Sequence, residues 1–248
     1  MTMRTVFGGA GCLLLMVLLV GPWRGAIAQD DPIRQTEEVA SFTEIGFSVP
    51  GTVHLRQGEP HSVEVEGPQD VLDQLEVSVD GETLHIRAEG SGSWLWWIFG
   101  ESNRLETPVD VYVTAPTIER LNVAGAGDIV GETPLQASSL TLRMAGAGGF
   151  DLDLDTDEVD LQVAGAGTTR LRGRAERLSA EVAGAGDLEA TELKTTTADV
   201  TIAGAGGAHL YVTDRLTAQV MGTGNVRYRG GADVERSIEG AGTVEPIE

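Results

Sequence analysis

Two runs of charged side chains share one spacing and could do chemistry. Each run places three residues at alternate positions, and the second run follows the first by 19 residues. Alternate positions of a strand put two carboxyls about 5–10 Å apart, the separation that glycoside hydrolases use. The acidic run could therefore serve an enzyme that cleaves acidic polysaccharides. The runs are Asp151, Asp153 and Asp155, then Arg170, Arg172 and Arg174.

The same spacing also predicts ion pairs. If successive repeats stack in register, the three aspartates face the three arginines, which would neutralise them. An exposed pair contributes less than about 1 kcal/mol, so the larger effect is to fix the register. Since nothing in the sequence supplies a cleft, we expect an ion-pair ladder on a protein that is not an enzyme. A calcium site at Asp155, Asp157 and Glu158 is a further alternative.

An aromatic stretch is the second candidate site. The segment EGSGSWLWWIFGESN (residues 89–103) holds three of the four tryptophans between Gly/Ser-rich flanks that are typical of a loop. One hypothesis is that this loop covers an open end of the fold. The other is an exposed patch that contacts a partner protein, a glycan or a membrane interface, in which case replacing Trp96 and Trp97 by Ala weakens association and leaves the fold intact. The candidate partner-binding residues are Trp94, Trp96, Trp97 and Phe99.

Other catalytic and cofactor chemistry finds no support in the residues. The one cysteine, Cys12, lies in a predicted signal peptide, so the mature chain has no thiol nucleophile and no thiolate metal site. The four histidines lie in different segments, and no pair has metal-ligand spacing. A net charge of −21 argues against a nucleic-acid partner. We expect no catalytic residue, no cofactor and no metal.

The start of the chain predicts export. Arg4 precedes an apolar run over residues 13–20, and the small residues Ala26 and Ala28 form a signal-peptidase site. Cleavage before Gln29 would release a protein of the bacterial periplasm or cell surface. The apolar run is too short to span a bilayer, and no later segment is apolar enough.

A glycine repeat organises the rest of the chain. Seven Gly-x-Gly turns, most of them Gly-Ala-Gly, recur every 18–21 residues, which is the signature of a solenoid. A dinucleotide loop needs a helix after the turn, and a phosphate loop needs a lysine that these turns lack, so both are excluded. Calcium-binding nonapeptides need a regular aspartate that only two turns have. The turn residues are Gly125, Gly146, Gly165, Gly184, Gly204, Gly222 and Gly240, each followed two positions later by Gly127, Gly148, Gly167, Gly186, Gly206, Gly224 and Gly242.

The residues around each turn alternate between apolar and polar. Val163 and Val182 stand two positions before a turn glycine, and Gln162 and Glu181 precede them. This period of two predicts strands with one buried face on either side of every turn. The sequence therefore predicts an all-β fold, a right-handed parallel β-helix or a flattened, two-sided version of it, in which glycine permits positive φ and close approach of successive coils.

The domain organisation follows from the position at which the glycine repeat becomes regular. We divide the chain into a signal peptide (1–28), an N-terminal linker (29–41), an N-terminal β-rich part (42–115) that contains the aromatic loop, and the glycine-repeat β-helix (116–248). Turn signals such as Asp80-Gly81 separate several short strands in the β-rich part.

The order of these segments resembles a known family. After the signal peptide come SFTEIGFSVPGTVHLRQGEPHSVEVEGP (41–68), LEVSVDGETLHIRA (75–88), TPVDVYVTAPTIERLNVAGAG (107–127) and the endings GTGNVRYRG and IEGAGTVEP. This arrangement resembles the putative auto-transporter adhesin head GIN domain family of exported bacterial proteins. The resemblance implies a β-helix shaped like pectin-lyase-type solenoids without their catalytic residues, and adhesion at the cell surface.

We therefore expect an exported, non-enzymatic solenoid that presents a surface to a protein or glycan of the cell envelope. Membrane contact through the aromatic loop is part of this expectation. A polysaccharide-active enzyme that uses the outer aspartates is the alternative, and a scaffold or sensor subunit is a third hypothesis.

Overall fold

The computed structural model describes residues 32–89 and 107–247, which are nearly all β-strand. One four-residue helix, α1 (Gln69–Leu72), lies among them. The strands are β1 (Ile33–Glu37), β2 (Glu44–Phe47), β3 (Gly51–Gln57), β4 (Ser62–Gly67), β5 (Leu75–Asp80), β6 (Thr83–Ala88), β7 (Val109–Ala115), β8 (Arg120–Gly125), β9 (Gly127–Gly131), β10 (Leu135–Gly146), β11 (Gly149–Gly165), β12 (Thr168–Gly184), β13 (Asp187–Gly204), β14 (Gly207–Gly222), β15 (Asn225–Arg229), β16 (Asp233–Gly240) and β17 (Thr243–Pro246).

The strands stack as coils, which confirms the predicted β-solenoid of about 7 turns. The first glycines of successive corners lie in register, so that Gly165 pairs with Gly146 below it and with Gly184 above it. A long strand such as β11 begins after one corner, bends, and ends at the next. Each coil therefore contributes to two sheets.

We name these sheets by their position relative to the Gly-Ala-Gly corner. Face A consists of strand segments that end at the corner, in the order β5–β6–β2–β8–β10–β11–β12–β13–β14–β16. Face B consists of segments that begin after the corner, in the order β1–β4–β7–β3–β9–β11–β12–β13–β14–β15–β17.

The core lies between the two faces and is built from columns of apolar side chains. The column two positions before each corner is 0–3% exposed in all coils but the last. Burial of each such side chain contributes about 1.5–3 kcal/mol, and that contribution recurs once per coil. The column is Val123, Met144, Val163, Val182, Ile202 and Val220, and it ends at the exposed Ile238.

The corners require glycine for two separate physical reasons. Gly165 has φ +147°, which L side chains rarely adopt. The second glycine of the same corner, Gly167, lies so close to the coil below that a Cβ on it would be 1.6 Å from the carbonyl oxygen of Gly148. Backbone therefore packs on backbone at the corners, as the repeat predicts.

The N-terminal end departs from the parallel stack. There β5 pairs antiparallel with β6, and β4 pairs antiparallel with both β1 and β7. Helix α1 buries Val71 and Leu72 beside these strands. Antiparallel pairing and the helix together close this end of the core.

The β-rich part and the glycine repeat form one structure. Strand β2 pairs with β8, and β3 pairs with β9, so strands from both sides of Pro116 share each face. The described residues, 32–89 and 107–247, accordingly belong to one compact unit. The division at residue 116 marks where the sequence repeat begins, and the sheets continue across it.

Within the described residues, no helix has the length and apolar character that crossing a bilayer requires. The predicted signal peptide, residues 1–28, lies outside them.

Candidate functional site

The charged runs lie on the outer surface of face B, in adjacent strands. Strand β11 carries the aspartates and β12 the arginines, and they are paired position by position in the parallel register. Asp151 lies opposite Arg170, Asp153 opposite Arg172, and Asp155 opposite Arg174.

The side chains form ion pairs within this register. Arg174 Nη2 lies 2.6 Å from Asp155 Oδ1. Arg172 leans diagonally, with Nη1 2.5 Å from Asp151 Oδ1 and 3.7 Å from Asp153 Oδ1. The hydrogen bond to Asp151 raises the pKa of Arg172. Among the described residues, Arg170 makes no ion pair, so two arginines contact the three aspartates and balance only part of their charge.

The charge pattern extends beyond the two predicted runs. One outward column crosses six coils of face B, and acidic and basic or imidazole side chains mostly alternate along it. His209 Nδ1 lies 3.1 Å from Glu189 Oε2 in this column. Opposite charges at neighbouring positions favour one register over its alternatives. The column is Asp151, Arg170, Glu189, His209, Arg227 and Glu245.

These carboxylates are engaged by cations rather than gathered around a metal site. Glu158 Oε1 lies 3.8 Å from Arg177 Nη1, and Asp155 is paired with Arg174. Across residues 32–89 and 107–247, no group of three or more His, Cys, Asp or Glu side chains could hold a metal ion. The calcium alternative at Asp155, Asp157 and Glu158 gains no support from this geometry.

Face A carries a concavity that the sequence reasoning missed, which we name the alanine groove. It has a volume of about 440 Å³ and crosses five adjacent strands, β2, β8, β10, β11 and β12. At about 4.8 Å per strand it extends about 19 Å along the stack. The lining is Gly46, Ser48, Ala124, Ala145, Ala164 and Ala183 beneath Asn122, Arg143, Gln162 and Glu181, with parts of Val123, Met144 and Val163.

The repeat itself produces this groove. Ala164 stands between the buried Val163 and the corner glycine Gly165, so strand alternation turns its methyl group outward. Two positions earlier the outward side chain is longer, as at Gln162. A column of methyl groups therefore lies beside a column of long polar side chains, and the step between them is the groove. The sequence feature that could have indicated this groove is the alanine that precedes the first corner glycine in five repeats.

A second alanine column lies at the corner and is exposed, but it does not line the groove. Ala166 is one position beyond Gly165 and belongs to this column. Ala164 and Ala166 are thus chemically identical neighbours, one inside the groove and one outside.

One carboxyl on face B has an altered acidity. Partial burial of its carboxylate raises the pKa of Asp128, while a hydrogen bond with the backbone of Gly149 opposes the rise. Much of the residue remains exposed to solvent, which screens its charge. Asp128 Oδ1 lies 3.4 Å from the position that a Cβ on Gly149 would occupy. Because Gly149 has no side chain, this side of the carboxylate stays open.

The predicted aromatic site, Trp94, Trp96, Trp97 and Phe99, lies outside the described residues. The strands that flank it, β6 and β7, belong to the first coils.

Stacked coils, glycine corners and a smooth groove across one face define this chain as a parallel β-solenoid with an extended surface. Sequence comparison then gives the family: residues 41–232 match the putative auto-transporter adhesin, head GIN domain, and the chain belongs to this family. Comparison with curated proteins gives no significant match.

Solved structures share the fold over most of their length. A putative adhesin from Bacteroides fragilis NCTC 9343 superposes with a TM-score of 0.78 at 24% identity, covering 88% of this chain and 97% of that chain. A putative lipid binding protein from Parabacteroides distasonis ATCC 8503 gives 0.73 at 21% identity, covering 89% and 98%. A putative adhesin from Parabacteroides merdae ATCC 43184 gives 0.68 at 19% identity, covering 89% and 98%.

Proposed function

We propose that this protein is an exported, non-enzymatic binding protein of the bacterial cell envelope that holds a partner on face A. Membership of a family of putative adhesins supports a binding role at the cell surface. A predicted signal peptide supports export. The ion pairs of Asp151, Asp153 and Asp155 support a non-enzymatic role, because a guanidinium beside each carboxylate opposes its use as a general acid.

The alanine groove is the observation that carries the proposal. Its floor is a hydrogen-bonded sheet that needs no ordering when a partner binds, which lowers the entropic cost of association. Methyl groups along the floor offer apolar contact, and the amides of Asn122 and Gln162 on the rim offer hydrogen bonds. An extended glycan or polypeptide matches a groove of this length.

The test fills the groove with one side chain. The mature chain from Gln29 is titrated onto fixed cells of the producing bacterium and onto purified peptidoglycan, with retention measured by biolayer interferometry. We expect Ala164→Phe to weaken binding at least about tenfold, a loss of about 1.4 kcal/mol. Ala166→Phe places the same ring two residues away, outside the groove, and should bind as the parent does. Equal binding by all three proteins would count against the groove.

A second candidate function is lipid binding. The apolar floor favours an acyl chain, and one structural relative is named a putative lipid binding protein. Titration with a fluorescent fatty acid, cis-parinaric acid, separates this function from glycan binding. Saturable binding that Ala164→Phe abolishes and Ala166→Phe spares would favour lipid, whereas an absence of saturable binding would remove this candidate.

The enzymatic alternative is tested separately. Uronate polymers are incubated with the mature chain and with Asp153→Asn, and reducing ends and unsaturated products are measured. We expect no product from either protein. Turnover by the parent chain that Asp153→Asn abolishes would replace the binding proposal with a polysaccharide-cleaving one.

A further inference from the structure

The C-terminal end of the stack is bounded by two unpaired strand edges. Among the described strands, β16 has one neighbour, β14, and β17 has one neighbour, β15. The last core position on face A, Ile238, is 41% exposed. A solenoid end with open backbone groups and exposed apolar side chains is a template on which another coil could add.

One residue on this end breaks the pattern of the core. An inward column of face A is apolar and buried in six successive coils of the glycine repeat, and the seventh coil places Arg236 in register with Ala218. The guanidinium reaches across the end of the core to the opposite face, where Arg236 Nη1 donates to the carbonyl oxygen of Val244 at 3.1 Å. The six apolar members are Leu121, Leu142, Leu161, Ala180, Val200 and Ala218.

We propose that Arg236 is an end cap that prevents a second copy of this chain from stacking on the C-terminal coil. A copy seated there would have to bury the guanidinium, and a charge removed from water without a carboxylate partner is strongly unfavourable. Placing a charge in an inward position is one of the ways in which natural sheets protect an edge.

The outward side chains of the same strands act in the same direction. Glu235 and Glu239 project from β16, and Glu245 projects from β17. On the outer edge of the opposite end, β5 carries Glu76 and Asp80. Arg87 pairs with Glu76 at 2.7 Å, so a copy that added head to tail on face A would bring the glutamates of β16 toward the remaining carboxylate of β5, Asp80.

The two ends are protected by different devices. Antiparallel strands and α1 close the N-terminal end, with Val71 and Leu72 buried. No helix among the described residues covers the C-terminal end. Arg236 is the charge at an inward position of that end, so we expect its replacement alone to permit stacking even with the outward glutamates in place.

The experiment replaces the cap by the residue type that the rest of the column uses. The mature parent chain and Arg236→Leu are compared by sedimentation velocity over concentrations from about 1 to 100 µM. We expect the parent to remain monomeric and the variant to rise to at least about twice the monomer mass across the series. Far-UV circular dichroism verifies that both are folded.

Two matched variants separate the cap from general effects of charge and apolarity. Arg227→Leu makes the same chemical change on the outward side of β15 and should stay monomeric. Arg236→Lys keeps an inward charge and should also stay monomeric. Should Arg236→Leu not fold, Arg236→Ala is measured in its place. A folded Arg236→Leu or Arg236→Ala that stays monomeric, or an Arg227→Leu that associates equally, would overturn the proposal.

Discussion

The carbonyl oxygen of Gly146 lies directly beneath Gly165, at a distance of 1.8 Å from where a Cβ on Gly165 would stand. The same oxygen accepts a hydrogen bond from the amide of Ala166 at 2.9 Å. Coil spacing at the corner is therefore set by a backbone hydrogen bond that leaves no room for a methyl group.

Gly165→Ala should be much more damaging than the same change in the first coil. At Gly165 the left-handed φ costs about 1–2 kcal/mol and the clash adds about 1–3 kcal/mol. At Gly125 the φ of +97° remains, but nothing lies within 4 Å of the added Cβ, so only the first cost applies. Urea unfolding of both variants measures the difference, and equal midpoints would contradict it.

Replacement of Arg172 should reveal coupling to Asp151. We expect Arg172→Gln and Asp151→Asn to show an interaction energy of about 0.5–1 kcal/mol in a double-mutant cycle, typical of an exposed ion pair. The coupling should fall in 1 M NaCl, because the Debye screening length at that ionic strength is about 3 Å. Arg170→Gln is the control, since Arg170 makes no ion pair among the described residues. A coupling unchanged by salt would argue against an electrostatic origin.

Asp128 should lower stability slightly at neutral pH. Because its folded pKa lies above its ordinary value, the folded protein holds this proton more tightly than the unfolded chain does. Stability therefore falls as the pH rises from the ordinary value through the folded pKa, and it stays lowered at neutral pH. We expect Asp128→Asn to raise the melting temperature at pH 7 and to leave it unchanged near pH 3, where both side chains are neutral. A gain of equal size at both pH values would exclude this titration as the cause.

Arg34 should hold β1 against the rest of face B. Arg34 Nη2 lies 2.7 Å from Glu66 Oε2, and its guanidinium carbon lies 4.2 Å from the ring centroid of Tyr112. The other side chains of β1 are mostly exposed, so few side-chain contacts supplement its antiparallel backbone pairing with β4. Arg34→Ala should speed amide hydrogen exchange in β1 and leave the later coils protected. Gln35→Ala, on the other side of the strand, should leave β1 exchange as it was.

Much of the stack could be predicted from the sequence because each repeat places the same types of residue at the same positions. Val163, Gly165 and Gly167 each report on a distinct requirement, namely burial, left-handed backbone and close approach, and each recurs once per coil. The pairing of the aspartates of β11 with the arginines of β12 was predicted from the equal spacing of the two charged runs alone. These features depend on residues within one repeat and on its period.

The features that escaped prediction depend on the assembled coils. The alanine groove needs five strands side by side before a column of methyl groups becomes a concavity. The antiparallel pairing of β4 with β1 and β7 joins strands whose order no local signal specifies. The register of β13 against β14 shifts between Ala190 and Lys194, which equal spacing would not suggest. Alternation already places Arg236 inward, four positions before Gly240, but its contact with Val244 across the end of the core depends on the assembled coils.

Because the hydrogen bonds between coils run along the stack, a tether that pulls on its two ends loads one coil at a time. A coil of 19 residues that peels away lengthens the chain by about 60 Å before the next one bears the load. Such a molecule would unfold coil by coil under load and dissipate mechanical energy in steps. Single-molecule stretching should record a series of evenly spaced drops in force, and one abrupt rupture would refute this mechanical behaviour.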